Sequence, residues 1–334
     1  MRAAVYYAND DVRLEERPRP LAGPGELVFR VMASGLCGSD VMEWYRKPKA
    51  PVVLGHEVAG EVVEIGEGLA GFVAGDRIVA THHVPCNTCR YCRAGHHPVC
   101  ETLRTTHFDP GGLAELVRLP AVNVLRGTLA LPPGVSYEEG SFVEPLACAV
   151  RGQRVAGGAS EKRVAVIGSG LSGLLHIVWA KASGAASIVA SDLSPYRLAA
   201  ARRAGATETL DARAEALPPR CADVAILCAA SMPALDAAIR MLDRGGTLLV
   251  FALFPPGTTA SLPLHELGRD GISIVHSYAG PPADMKTALD AIANRRVDVR
   301  SLITHRLPLA DAQEGFRLVA EAGDSLKVIV EPQR

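Results

Sequence analysis

Four cysteines fall within fifteen residues, spaced Cys86-x2-Cys89-x2-Cys92-x7-Cys100. The surrounding segment is rich in Gly, His, Pro and Arg and offers little apolar material for packing. Four thiolates at this spacing suit a closed tetrahedral zinc, which would organise such a loop through metal–ligand energy in place of a core. A bacterial ferredoxin run instead needs three residues before its fourth cysteine and a proline after it. Here the gap is seven and Glu101 follows. A closed shell leaves no open coordination position, so this metal is read as structural.

A second pattern concerns phosphate. Ile167 runs into Gly168-Ser169-Gly170-Leu171-Ser172-Gly173, a G-x-G-x-x-G placed between an expected strand and an expected helix. Gly168 would allow the tight turn, Gly170 a close approach to a pyrophosphate, and Gly173 close packing of helix on sheet. The helix start adds free N–H groups and partial positive charge. Asp192 follows nineteen residues after Gly173, where a carboxylate would receive ribose hydroxyls and repel a 2′-phosphate. The pattern therefore predicts NAD. Arg197 is read as stacking on the adenine, although an arginine nearby can also cover a phosphate.

The elements that must carry these motifs fall into two textures. Before about residue 135 the chain is β-rich, with strands expected at Leu27–Val31 and Gly60–Ile65. From about Tyr137 strands alternate with Ala- and Leu-rich helices, as βαβ units do on a parallel sheet. Strands are expected at Arg163–Ile167, Ser187–Ser191, Asp223–Cys228, Gly246–Phe251 and Ile272–His276, with a helix from about Gly170 to Gly184. After about Pro281 come two helical stretches and a last strand, Leu326–Val330. No internal repeat or low-complexity tract is visible.

Length and charge narrow the class. At 334 residues the chain can hold two cores. Hydrophobic residues make up 48% and charged residues 21%, with 35 Lys plus Arg against 36 Asp plus Glu. Nothing in that balance points to nucleic acid or an anionic membrane. The first residues do not read as a signal peptide, and the most apolar stretch, Leu171 to Ala190, is interrupted by His176, Lys181 and two glycines. A cytoplasmic protein is expected, with its cysteines outside structural disulfides.

Two further segments acquire meaning only in company. Cys37 in Gly35-Leu36-Cys37-Gly38-Ser39-Asp40 reads alone as a small buried hydrophobe, and His56 in Gly55-His56-Glu57 as a satisfied core histidine. Taken in order, Cys37-Gly38-Ser39-Asp40, Gly55-His56-Glu57-x2-Gly60-x5-Gly66, the four-cysteine segment and the glycine turn resemble the zinc-containing medium-chain dehydrogenases across essentially the whole chain. That resemblance implies an α/β plus β protein. A GroES-like β-rich catalytic domain (residues 1–144 and 277–334, with the zinc lobe at 83–103) would enclose an inserted Rossmann domain, 145–276, with a doubly wound parallel sheet.

By position, the resemblance makes Cys37 and His56 ligands of a catalytic zinc, with Glu57 a ligand or near-ligand. The third protein position falls at Glu144, in Phe142-Val143-Glu144-Pro145-Leu146. Alcohol dehydrogenases of the family commonly have Cys there, and the Glu-Pro-Leu form is similar to the sorbitol-type polyol and threonine dehydrogenase branches. Such a zinc would lower the pKa of a substrate alcohol, whose carbon gives hydride to the nicotinamide. Ser39 would take the hydroxyl proton, and Asp40 would hold the His56 ring nitrogen not on zinc. The family often has a His where this chain has Met42, so the relay beyond Ser39 is undefined. The spacing of nineteen between Cys37 and His56 is shorter than common, implying a trimmed loop. Lys327 matches a basic position near the cofactor phosphates in the family, or is a solvated strand-end lysine. His83 resembles a histidine near the substrate of threonine dehydrogenases.

Together these readings predict two zincs and NAD, with oxidation of a secondary alcohol on a polyol or sugar-like small molecule. L-Threonine 3-dehydrogenase is the rival, favoured by His83. A primary-alcohol dehydrogenase is disfavoured by Glu144. A reading from another class is a nucleotide-binding relative that has lost catalysis. Relatives assemble through their Rossmann sheets, so a homotetramer or dimer is expected, with Gly246–Phe254 supplying an edge.

Overall fold

The computed structural model describes residues 1–215 and 217–334 and divides into two compact units. One comprises Met1–Ala147, Ala279–Arg295 and Val299–Arg334; the other comprises Cys148–Tyr278 and Arg296–Asp298. The first break falls inside the helix Val143–Val155.

The first unit is built around the strand Leu27–Gly35, whose near-continuous apolar run is buried along most of its length. Glu57–Ile65 and Leu116–Leu119 pair with it antiparallel, and Lys327–Glu331 joins at its C-terminal end. This register sets Gly35 opposite Glu57 on one side and Ile329 on the other. Leu27, Phe29, Val31, Val58, Val62 and Ile78 pack into one core. Tyr6, Leu36, Leu54, Leu113, Phe316 and Val328 form another, which seats the helix Ala312–Glu321. The strand Ile303–Pro308, parallel to Lys327–Glu331, was not expected. Its residues Thr304, His305 and Arg306 hide it from a hydrophobic pattern.

The second unit holds a six-stranded parallel sheet. Its spatial order is Glu208–Asp211, Ser187–Asp192, Arg163–Ile167, Ala222–Leu227, Leu242–Val250, Ser273–His276. That is the doubly wound 3-2-1-4-5-6 arrangement, whose switch point lies beside the first strand and places ligands at the carboxyl ends. One expectation needs correcting. Leu242–Val250 is paired on both sides, so Gly246–Phe254 does not supply the sheet edge; Ser273–His276 does. Among the described residues no helix is long and apolar enough to cross a membrane.

Candidate active site and metal-ligand clusters

Two neighbouring strand ends bring the first ligand group together. Cys37 leaves the strand Leu27–Gly35 and caps the short helical turn Gly38–Val41, where its sulfur accepts from Ser39 N–H at 3.5 Å. Its own N–H donates to Asp40 Oδ2 at 3.1 Å. His56 precedes the strand Glu57–Ile65 after Gly55, whose φ of +95° and close approach to Leu113 N leave no place for a side chain. The donor atoms of Cys37, His56 and Glu57 all lie within 4.8 Å of one another.

Asp40 is buried and faces His56 Nδ1 at 3.5 Å and Arg46 Nη2 at 3.1 Å. Burial opposes its charge, but His56 and Arg46 outweigh that and hold the carboxyl below its usual range. For His56 burial again opposes the charged form, while Asp40 and Cys37 raise the imidazole well above its ordinary value. Burial pushes the Cys37 thiol up and His56 pulls it down further than that, favouring thiolate. Arg46 donates to the backbone oxygen and to Oγ of Ser39, both at 3.0 Å. The sequence reading missed Arg46, because nothing in its spacing marks it.

Glu57 is fully buried and its Oε2 pairs with Lys327 Nζ, also fully buried. Lys327 donates to the Leu36 carbonyl at 3.3 Å as well and lies 5.5 Å from the centroid of the Phe142 ring. Burial lowers its pKa to about 8, with Cys37 and Asp40 pulling the other way, so it is mostly charged at neutral pH. This corrects the expected contact with cofactor phosphates, since the ammonium has no exposure to offer them. Gly35 makes the pair possible, because a Cβ there would sit 2.5 Å from Lys327 Nζ. The other carboxylate oxygen, Glu57 Oε1, is buried without a hydrogen-bond partner. An orphaned carboxylate oxygen beside a thiolate and an imidazole is a donor set that fits zinc.

Glu144 falls in a different group. Its oxygens lie with the ring nitrogens of His82 and His83, again within 4.8 Å, and Oε1 is 3.7 Å from His83 Nδ1. The expected four-ligand cluster is thus drawn as two adjoining trios, linked where the His56 and His82 rings stand 5.1 Å apart. The reason is local: the helix Val143–Val155 presents Glu144 to the segment just before the cysteine lobe, where His83 lies. Nothing in the sequence singles out His82. Its ring centroid lies 3.7 Å from that of His83 with the planes tilted by 39°, and burial and its histidine neighbours hold it well below its usual pKa, so it is a neutral imidazole.

The lobe cysteines converge as their spacing requires. Cys89 Sγ is 3.5 Å from Cys92 Sγ, and Cys86 Sγ is 3.9 Å from Cys92 Sγ. Tetrahedral bonds of about 2.3 Å to a common zinc set sulfurs about 3.8 Å apart. Backbone N–H groups of Thr88, Cys89 and Cys86 point at the sulfurs of Cys86 and Cys100. Donation from Thr88 and Cys89 lowers Cys86 to about 5, whereas burial and the neighbouring thiols push Cys92 to about 12. Four thiolates cannot gather here unaided, and a divalent cation resolves the conflict. Few apolar residues back the lobe, chiefly Leu103 and Ala279.

In the second unit Gly168 follows the strand Arg163–Ile167 with φ of +94°, and the helix Leu171–Ala182 begins after Gly170. Asp192 closes the next strand; its carboxylate accepts from Ser169 N–H at 2.7 Å and Ser194 N–H at 2.9 Å. The Arg197 guanidinium reaches to 3.9 Å from where a Cβ on Gly170 would stand. Glycine turn, acidic strand end and Arg197 therefore meet at one place.

Comparison with known proteins identifies both parts. Residues 23–131 match the alcohol dehydrogenase GroES-like domain, and residues 173–294 match the zinc-binding dehydrogenase family. The chain belongs to the zinc-containing medium-chain dehydrogenases, a family of oxidoreductases. It is 31% identical to sorbitol dehydrogenase of Gallus gallus, covering 98% of this chain and 95% of that protein. Sorbitol dehydrogenase 1 of Saccharomyces cerevisiae is 30% identical over 98% of this chain and 97% of its own length. The crystal structure of 2R,3R-butanediol dehydrogenase from Bacillus subtilis superposes with a TM-score of 0.86 at 26% identity, covering 99% of each chain.

Proposed function

We propose that the chain oxidises a secondary alcohol of a polyol or sugar-like substrate to the ketone, using a catalytic zinc and NAD. The observation that carries this is the Cys37, His56 and Glu57 trio with its unpartnered Glu57 Oε1, in a chain similar end to end to sorbitol dehydrogenases. Cys37, His56, Glu57 and Glu144 are the proposed ligands, and the four lobe cysteines would hold a second zinc. When bound, the catalytic zinc supplies a Lewis acid that lowers the pKa of an alcohol.

The chain's own residues do the rest. Asp40 fixes His56 by its Nδ1, leaving Nε2 for the metal. Ser39 Oγ accepts from Arg46 through one lone pair, so the other can accept a hydrogen bond from the substrate's hydroxyl. Gly168, Ser169, Gly170, Leu171, Ser172 and Gly173 would seat the pyrophosphate on the helix start. Asp192, placed against Ser169, would take the ribose hydroxyls. Replacing Asp192 with Ser should raise the NAD KM about tenfold or more and shift preference toward NADP, since one lost charge-assisted contact is worth about 1.5–3 kcal/mol. Unchanged discrimination between the two would remove Asp192 from cofactor choice.

The decisive assay loads the protein with zinc and follows NAD reduction across sorbitol, xylitol, 2,3-butanediol and threonine. Polyol turnover with little on threonine is the expected result. Preference for threonine would install the second reading, which the 3.7 Å approach of His83 to Glu144 favours. Glu144→Ala should lower kcat at least a hundredfold, the scale on which first ligands and their supports act; full activity would remove it from the site. The proposal includes a cytosolic homo-oligomer, its assembly supported by the exposed sheet edge at Ser273–His276.

A further inference from the structure

A second trio adjoins the first and meets the same geometric standard. The ligand atoms of His82, His83 and Glu144 lie within 4.8 Å of one another, as those of Cys37, His56 and Glu57 do. All of these residues belong to the first unit. The backbone under the two histidines is pinned. They follow the strand Arg77–Ala80, and Thr106 Oγ1 donates to the His82 carbonyl at 2.7 Å. Fully buried Asn123 donates to the Thr81 carbonyl at 2.9 Å, and His83 N–H donates to Thr81 Oγ1 at 3.1 Å. The two rings emerge side by side, with centroids 3.7 Å apart. The helix Val143–Val155 brings Glu144, itself buried, against them. Ligands held this way are already ordered before an ion arrives.

Two observations point to an ion. His83 Nδ1 and Glu144 Oε1 are 3.7 Å apart, too far for a hydrogen bond between those atoms. Ligands at about 2.0–2.1 Å from one tetrahedral zinc stand about 3.3 Å from each other, so a small closing movement seats a metal between them. His82 Nδ1 is buried with no hydrogen-bond partner. An unmatched buried polar atom marks a place for an ion or a water, and Glu57 Oε1 shows the same condition in the first trio.

We propose that His82, His83 and Glu144 hold a divalent cation of their own, beside the catalytic zinc and separate from the cysteine lobe. The two centres adjoin where the His56 and His82 rings stand 5.1 Å apart. Two imidazoles and a carboxylate suit zinc and its first-row neighbours, whereas calcium and magnesium want oxygen ligands. Two histidines and a glutamate leave a zinc with an open position for water or a substrate oxygen. A carboxylate has two oxygens, so Glu144 can serve this ion through one and the catalytic zinc through the other. Lacking any thiolate, the site holds its ion less tightly than the other two and yields it first on dialysis.

The test counts metal by titrating the dialysed protein with cobalt(II), whose absorption reports its ligands. Cobalt at Cys37 or in the lobe adds sulfur-to-metal charge transfer; cobalt on two imidazoles and Glu144 adds none. The expected result is one further ion per chain that binds without any gain in charge transfer. Its magnetism should couple to that of the cobalt at Cys37, which a remote surface ion cannot do. His82→Gln and His83→Gln should each weaken it about a hundredfold or more, because even the partners behind a ligand cost about 10–100-fold in affinity. The charge-transfer bands should stay in both variants, showing that they fold around the other metals. An unmodified chain that saturates with sulfur-bound cobalt alone overturns the proposal. So does a further ion that is magnetically isolated, or one that neither substitution weakens. None of these readings uses turnover, so the proposed alcohol oxidation stands or falls apart from this site.

Discussion

Lys327→Met is expected to destabilise the folded chain by about 3–5 kcal/mol, because removing one partner of a buried ion pair leaves the other charged and dry. Both side chains have no exposure, and they fill the space that a side chain at position 35 would need. Chemical denaturation at neutral pH would measure the loss. Pairing it with Glu57→Gln should recover most of the stability, since two neutral groups no longer need each other. A loss under about 1 kcal/mol, the scale of a surface pair, would mean the contact carries no structural weight. Lys327→Arg would separate charge from shape: it restores the charge but asks for more room beside Gly35 than a lysine does.

Cys100→Ser should remove the lobe metal altogether. Structural zinc sites contribute on the order of 10 kcal/mol of binding energy, and the lobe has few apolar contacts to fall back on. We expect zinc content to drop from two per chain to one. The segment from Cys86 to Cys100 should then become open to proteases while the sheets stay folded. Arg126 holds the Pro85 and Cys86 carbonyls at 3.2 and 2.7 Å, so the lobe's root should survive and confine the damage. Two zincs retained, with an unchanged cleavage pattern, would show that three sulfurs suffice or that another ligand steps in.

The fold was legible where physics acts over short spans. Arg163–Ile167 was placed to the residue, because a buried parallel strand is a run of apolar residues ended by a glycine turn. The convergence of the lobe was legible for the same reason, as four cysteines within fifteen residues carry their geometry in their spacing. The place of Asp192, at a strand end beside the glycine turn, was legible through a distance along the chain that one βαβ unit fixes. What stayed hidden was contact across long separations. Glu57 and Lys327 are 270 residues apart, and no pattern in either segment points to the other. The polar Ile303–Pro308 strand was hidden because it lies beside a partner that only the folded sheet reveals. His82 carries no signal in its own segment, since its ring contacts depend on where His56 and His107 come to rest.

The Glu57–Lys327 pair also sets a clock. Chains leave the ribosome N-terminus first at about 5–20 residues per second, so the 270 residues between these two take roughly 15–50 s to appear. Every strand of the six-stranded sheet has been made before Lys327 exists. Until the last strand arrives, Glu57 has no Lys327 to compensate its charge. A nascent chain stalled short of residue 327 would therefore hold most of a metal site on an unfinished sheet. Completion of the pocket is dated by its last strand and not by its first ligand.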